Sequence, residues 1–391
     1  MASRVRGSQQ PEAAARLNVD GESLLAFCSN DYLGMAGDPA LRDAVHVAVD
    51  LYGVGAAASP MVSGHSAANA ALELELAEAV QLPRALYFYA GYATNSSIVP
   101  ALVGPGDALF SDALNHACLI DGARLSGAQV QCFAHAELAQ LDKLLAGSPA
   151  RRKLVMSDAV FSMDGDVADI TRLHALCERH DALLLLDDAH GFGVLGPQGR
   201  GTLAEAGLTG SAASDRVLYM ATLGKALGVA GAFVAGPHRL VEWLLQKTRS
   251  YTYATAAPAL LAEAARASLR CVLSAEGERR RQHLRSLIAQ LREGLSPGAD
   301  PAIDAAGWVL LPSATAIQPL VIGDNVAALA VTTSLREQGL WVPAIRPPTV
   351  PAGTARLRIA LSAAHRRADI DDLLNALRSS ARTELAHASP A

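Results

Sequence analysis

The sequence predicts an α/β protein, with a mostly parallel sheet in a large domain and a smaller α+β domain at its C-terminal end. Three observations predict it. Short apolar runs alternate with longer helical patterns between about residues 84 and 236. Those runs are continuously apolar instead of alternating with polar residues, as strands covered on both faces are. From about residue 258 the texture changes to long helices followed by short strands.

Taken in order, "RALYFYAG" (84–91) reads as a buried strand and "TNSSIVPALV" behind it as a helix start. "DALFSD" (107–112), "RKLVMSDAVFS" (152–162), "ALLLLDDAH" (182–190), "RVLYMATLGK" (216–225) and "AGAFVAG" (230–236) read as further strands. "ACLIDGARLSG" and "ADITRLHALCERHD" lie between them with apolar residues near helical spacing. Beyond 258 comes one long helical stretch reaching "LIAQLREGL", then a Pro/Gly-rich turn near 297–301. Strand "AIQPLVIG", helix "NVAALAVTTSLREQGL", strands "WVPAIRPP" and "ARLRIALS", and the amphipathic "RRADIDDLLNALRSSAR" complete the chain. The expected divisions are an N-terminal segment, 1–45, packing with the small domain; a large domain, 46–270; and the small domain, 271–391. The two tails are expected to be disordered.

The chain has 391 residues, 51% of them hydrophobic and 18% charged, enough for a large core. Its net charge of −5 gives no basic face for nucleic acid. The polar opening "MASRVRGSQQPEAAAR" lacks the apolar centre of a signal peptide, and no apolar run reaches the ~18 residues of a membrane span. Five scattered cysteines without a C-x-x-C point to reduced thiols, a cytoplasmic setting and no metal site.

Several segments carry chemistry. In "MATLGKALGVAG" (220–231) the one charge, Lys225, stands among small and apolar neighbours. An unpaired charge there is costly unless its pKa shifts or it finds a covalent partner. In "LLLLDDAHGFG" (183–193), Asp187 falls at the C-terminal end of a buried strand, where open α/β sheets bind ligands. Read alone, Asp187 is also explained as a cap on the next turn. "GFGVLG" fits the dinucleotide fingerprint, but no apolar helix opens from its glycines. Gly91 stands at a strand-to-helix turn whose free N–H groups suit a phosphate, although an ordinary tight turn explains it equally well. His116, soon after another strand end, is by itself more often a structural hydrogen-bonder. Together these groups describe pyridoxal phosphate, which needs a lysine, a carboxylate for its ring nitrogen and a phosphate cup.

"NDYLG" (30–34), "VSGH" (62–65), "LNHACLIDG", "VFSMDGD", "DDAHGFGVLGPQGRG", "TLGKALG" and "RPPTVPAGTARLRIALSAAH" resemble the α-oxoamine synthases, across roughly residues 20–375. The resemblance implies a fold-type I pyridoxal-phosphate-dependent transferase that joins an amino acid to an acyl thioester with loss of carbon dioxide. "AIRPPTVPAGTARLR" is most similar to the biotin-pathway branch, implying L-alanine and a pimeloyl thioester, carried by coenzyme A or an acyl carrier protein. The family also implies a homodimer with shared sites.

Carried over residue by residue, the resemblance makes Lys225 the lysine that binds the cofactor and Asp187 the partner of its ring nitrogen. His190 meets the ring hydroxyl and His116 stacks on the ring. Gly91, Tyr92 and Thr222 cradle the phosphate, Ser162 lies against the cofactor, and Thr255 reaches the neighbouring subunit's phosphate. Asn30, Thr349 and Arg358 match substrate-side positions, Arg358 being suited to a bidentate grip on a carboxylate. Spacing alone places Arg4 at a substrate-contacting arginine. The chain departs from the family in its short segment before "NDYLG", and at Asn69 and Leu223, where histidine and phenylalanine are common.

Overall fold

The structure, a computed structural model, describes residues 7–9 and 15–388 and divides into two compact units. The larger unit contains residues 38–161 and 167–278; the smaller contains 162–166, 279–391 and the segment before residue 38. The tail residues 1–6, 10–14 and 389–391 lie outside the described residues.

The larger unit is built on a seven-stranded sheet. Its order is Arg84–Phe88, Ala232–Gly236, Val217–Thr222, Leu183–Asp187, Lys153–Asp158, Ala108–Asp112 and Gln129–Phe133. The pairings around Ala232–Gly236 are antiparallel and the other four are parallel, so one strand runs against six. The expected mostly parallel α/β sheet is therefore present. Its inner strands are buried along nearly their whole length, which is why they read as apolar runs without alternation. Gln129–Phe133 escapes such a reading: it is an edge strand whose residues are largely exposed, so "QVQCF" carries little apolar signal.

Helices cover the sheet by the usual periodicity. In Ile170–Arg179 the buried residues are Ile170, Leu173, Leu176 and Cys177, at helical spacing, and Asp169 caps the start by accepting from Arg172 N at 3.0 Å. Each such leucine contributes about 1.5–3 kcal/mol by leaving water. Ala67–Val80 begins with a reciprocal cap between Ser66 and Asn69, and Asn69 Nδ2 also donates to Ala257 O at 3.1 Å. The long helical stretch after 258 is two helices, Ala259–Leu273 and Ala275–Gly294. Ser274 separates them in extended backbone, its Oγ donating to Cys271 O and accepting from Glu276 N.

The smaller unit holds two four-stranded sheets. One runs Gly7–Gln9, Arg16–Val19, Glu22–Ala26 and Leu340–Trp341; the other runs Val309–Leu310, Ile317–Gly323, Ala355–Ala360 and Ala344–Ile345. The single strand expected from "WVPAIRPP" is thus two short strands in different sheets. Pro343 lies between them and cannot donate to a ladder, so one continuous pairing is lost there. Arg367–Ala388 buries Ile370, Leu373, Leu374, Leu377 and Ala381 as one helical face.

Among the described residues no helix is long and apolar enough to cross a membrane. No disulfide joins any of the five cysteines.

Candidate active site

In a parallel sheet all strand C-termini emerge on one edge, and the larger unit places there Asp158, Asp187 and Thr222. Asp158 and Asp187 are paired across neighbouring strands, and Asp187 lies opposite Met220 on the other side. Lys225 follows three residues after Thr222, and its Nζ lies 2.8 Å from His190 Nε2, a donor–acceptor contact. Lys225 is half-buried and His190 buried.

Asp187 is 5% exposed. Its Oδ2 accepts from Asn95 Nδ2 at 2.5 Å and its Oδ1 from Ala189 N at 2.9 Å. Both partners are donors, the complement of an acceptor-only carboxylate. Asn95 comes from the helix Gly91–Leu102, one turn after Gly91. That helix starts without a side-chain cap, leaving its first N–H groups available to an anion. A methyl group added at Gly91 would lie 3.4 Å from Met220 Cε and 3.7 Å from Thr222 Oγ1, so glycine leaves the helix start open towards the threonine. Thr222 Oγ1 itself donates to Gly231 O at 3.0 Å and accepts from Gly224 N at 3.2 Å.

His116 is the N-cap of Ala117–Ser126, its Nδ1 accepting from Cys118 N at 3.2 Å. Its own N–H donates to Asp158 Oδ2 at 2.8 Å. The imidazole is exposed, with Tyr92 edge-on at 6.5 Å between ring centres. Desolvation lowers the His116 pKa, with Lys225's charge adding and Asp187's opposing. Burial, then the charge of Asp187, pushes Asp158 well above the usual carboxylate range. Tyr92 is half-exposed, its hydroxyl hydrogen-bonded to Asp121. Thr255 is exposed in the segment before Ala259–Leu273.

Asp188, beside Asp187, is fully buried, accepting on Oδ2 from Tyr219 Oη and from Thr202 N, both at 2.7 Å. Burial pushes its pKa up to about 7 against the pull of those hydrogen bonds. The folded chain thus holds this proton more tightly than the unfolded chain, whose reference value is 3.8. Its contribution to stability is complete below that value and is lost as pH rises through about 7. Asp188→Asn is therefore expected to flatten the fall of melting temperature across that window; an unchanged slope would contradict the assignment.

The smaller unit assembles a second group. Arg358, 7% exposed, donates from Nε to Ser162 O at 2.6 Å and from one terminal nitrogen to Asn30 Oδ1 at 3.3 Å. Tyr32 Oη donates to the same Asn30 oxygen at 3.2 Å, and burial pushes the Tyr32 phenol up to about 12. The Arg358 guanidinium also hydrogen-bonds the Tyr32 phenol, and its charge opposes that upward shift. Thr349 lies exposed in a turn, its N–H donating to Arg346 O at 3.0 Å. Arg4 lies outside the described residues.

The structure therefore brings Lys225 to His190 and Arg358 to Asn30 and Ser162, and places Gly91 near Thr222 and Tyr92 beside His116. Among the described residues it gives Thr255 and Thr349 no side-chain hydrogen bond with the other candidates. Motif reading missed Asn95, Cys118, Asp158 and Asp188. Asn95 carried a usable signal: it is a polar side chain one turn after Gly91, on the helix face that also buries Ile98 and Leu102.

The aminotransferase class I and II family model matches residues 22–377. An 8-amino-7-oxononanoate synthase from Paracidovorax citrulli is 69% identical over 374 residues, covering 96% of this chain and 89% of the relative. The chain belongs to the 8-amino-7-oxononanoate synthases of the aminotransferase class I and II family. Two solved structures agree with that membership. SPT with its PLP internal aldimine superposes with a TM-score of 0.89 at 29% identity, covering 97% of this chain and 92% of that one. An 8-amino-7-oxononanoate synthase from Francisella tularensis gives 0.77 at 26% identity, covering 93% and 99%. This synthase has the fold-type I architecture of those neighbours.

Proposed function

We propose that this chain condenses L-alanine with a pimeloyl thioester, yielding 8-amino-7-oxononanoate, carbon dioxide and the free thiol carrier in biotin biosynthesis, with pyridoxal phosphate as cofactor. The observation that carries the reading is one sheet edge bearing the Lys225–His190 contact, Asp187 and the uncapped helix start at Gly91, in a chain of this family.

The residues present fit that cofactor by their donor chemistry. Asp187 would be the acceptor for the ring nitrogen, His190 the partner of the ring hydroxyl, and His116 the flat group for the ring face. Gly91 and Tyr92 N–H groups and the Thr222 hydroxyl would hold the phosphate, joined by Thr255 of a second copy, and Ser162 would be a further cofactor contact. When bound, the cofactor supplies an electron sink for the negative charge left at the amino acid's Cα. Lys225 Nζ takes the proton from that Cα and later returns one, with His190 beside it orienting the amine. Arg358 grips the carboxylate, with Asn30 holding the guanidinium and Thr349 and Arg4 as further substrate contacts. Arg358→Lys removes the fork and is expected to raise KM for alanine about tenfold with a smaller change in kcat; an unaltered KM would reject the grip.

The decisive experiment mixes protein, cofactor, L-alanine and pimeloyl-coenzyme A, and identifies the product by mass. Glycine, serine and pimeloyl-carrier protein are run beside it. Product formed only from glycine or serine, or none from alanine with either carrier, would overturn the reading.

We read the protein as a cytoplasmic homodimer with sites completed by both copies. Large apolar side chains stand exposed along one stretch of the larger unit, Val47, Leu51, Val54 and Val62, with Tyr253 farther on. Light scattering is expected to give twice 40.6 kDa, and a particle of the single-chain mass would sink the dimer.

A further inference from the structure

We infer that Asn95 and Cys118 are positioning residues that link Asp187 to His116, the amide holding the carboxylate and the thiol adding a second donor to the imidazole Nδ1. This rests on the cofactor-site reading above and extends it to two residues to which the motifs assigned no role.

The contacts form one continuous chain. Asn95 Nδ2 donates to Asp187 Oδ2 at 2.5 Å and to Cys118 Sγ at 3.2 Å. Cys118 Sγ lies 2.9 Å from His116 Nδ1, which also accepts from the Cys118 backbone N–H. Asn95 is fully buried and Cys118 is 3% exposed.

Two constraints set the direction of every bond. A backbone N–H can only donate, so His116 Nδ1 carries its lone pair there and a neutral ring has its proton on Nε2. Burial pushes the Cys118 thiol up to about 12, so the sulfur keeps its hydrogen and directs it at the same Nδ1 lone pair, which it shares with the backbone N–H as a three-centre contact. That leaves the sulfur lone pairs for the Asn95 amide. Both N–H bonds of Asn95 are then used, one on Asp187 and one on Cys118.

Asn95 Oδ1 is buried without a partner among the described residues. Turning the amide over would place this oxygen against the Asp187 carboxylate. The unpartnered oxygen is the cost of an orientation selected by its two acceptors, and marks the amide as held for Asp187 instead of for local packing. The ionisable groups near His116 are Asp187, Lys225, Asp158, Cys118 and Tyr92, and the first two are unchanged by substitutions at 95 or 118.

The test uses the full chain labelled with 15N-histidine, before and after loading with pyridoxal phosphate. In wild type, His116 is expected as the Nε2–H tautomer. Cys118→Ala removes a donor to the neutral ring, so the His116 midpoint is expected to rise by about half a pH unit or more. Cys118→Ser, whose hydroxyl still donates, is expected to restore it. Asn95→Ala is expected to shift the pH midpoint of the loaded enzyme's visible band by a similar amount and to lower kcat roughly tenfold. An unchanged His116 midpoint in Cys118→Ala, or an unchanged visible midpoint in Asn95→Ala, overturns the inference. Should Asn95→Ala fail to fold, Asn95→Ser supplies the same visible readout with a shorter donor that no longer spans both acceptors. A wild-type chain with no visible band refutes the cofactor reading instead, while the His116 titration of the unloaded chain still judges the thiol contact.

Discussion

Lys225→Ala is expected to abolish turnover and the visible absorbance of the loaded protein while leaving the fold intact. Lys225 lies just past the strand Val217–Thr222, half-buried, with its amine 2.8 Å from His190. In the proposed mechanism, truncation deletes both the covalent attachment point and the base that moves the Cα proton. Proton transfer by a positioned side chain alone is worth about 10²–10⁴-fold, and attachment adds to it. The loss should therefore exceed roughly 10⁴-fold. The melting temperature of the unloaded protein should change little, because Lys225 is only half-buried. Residual turnover within tenfold of wild type, measured by carbon dioxide release from alanine, would dismantle the proposed role.

Asp187→Asn separates binding from rate. The amide is nearly isosteric, and Oδ1 can still accept from Ala189 N, so the cofactor should still bind. What is lost is the charged acceptor for Asn95 Nδ2 and, in the proposed mechanism, the negative charge opposite the ring nitrogen. Removing one preorganised electrostatic partner typically costs about 10²–10³-fold in kcat. The expected signature is a cofactor-replete protein with kcat lowered by that order and KM for alanine changed far less. A rate equal to wild type would show that Asp187 does not face the reacting charge.

Much of the architecture was legible because burial on both faces of a parallel strand leaves a continuous apolar run. "LLLLD" and "RVLYMAT" could be little else, and helices such as Ile170–Arg179 declare themselves by spacing and an N-cap. The edge strand Gln129–Phe133 was not legible, since solvent on one side removes the apolar signal. Nor was the direction of Ala232–Gly236, because backbone polarity in a sheet leaves no trace in side-chain type. The split at Ser274 rests on a serine bonding its own neighbours, a choice equally open to a serine inside one helix.

At the site, the chemical types were written in the motifs: a lysine after a buried strand, two acids at a strand end, a glycine opening a helix. Which acid serves which purpose was not. Asp187 and Asp188 are adjacent in sequence, yet successive side chains of extended backbone leave on opposite sides. One meets Asn95; the other is sealed against Tyr219 and Thr202.

The sequence by itself determined the family, the strand–helix alternation and the inventory of reactive groups, because these depend on residue identity and local spacing. Only the tertiary structure decided that Asn95 lies against Asp187, ninety-two positions away, and that Cys118 bridges it to His116. Those contacts depend on neighbouring strands ending at one edge and on helices packed across it, and hydrogen-bond partners separated by so much chain are selected by packing, not by any local pattern.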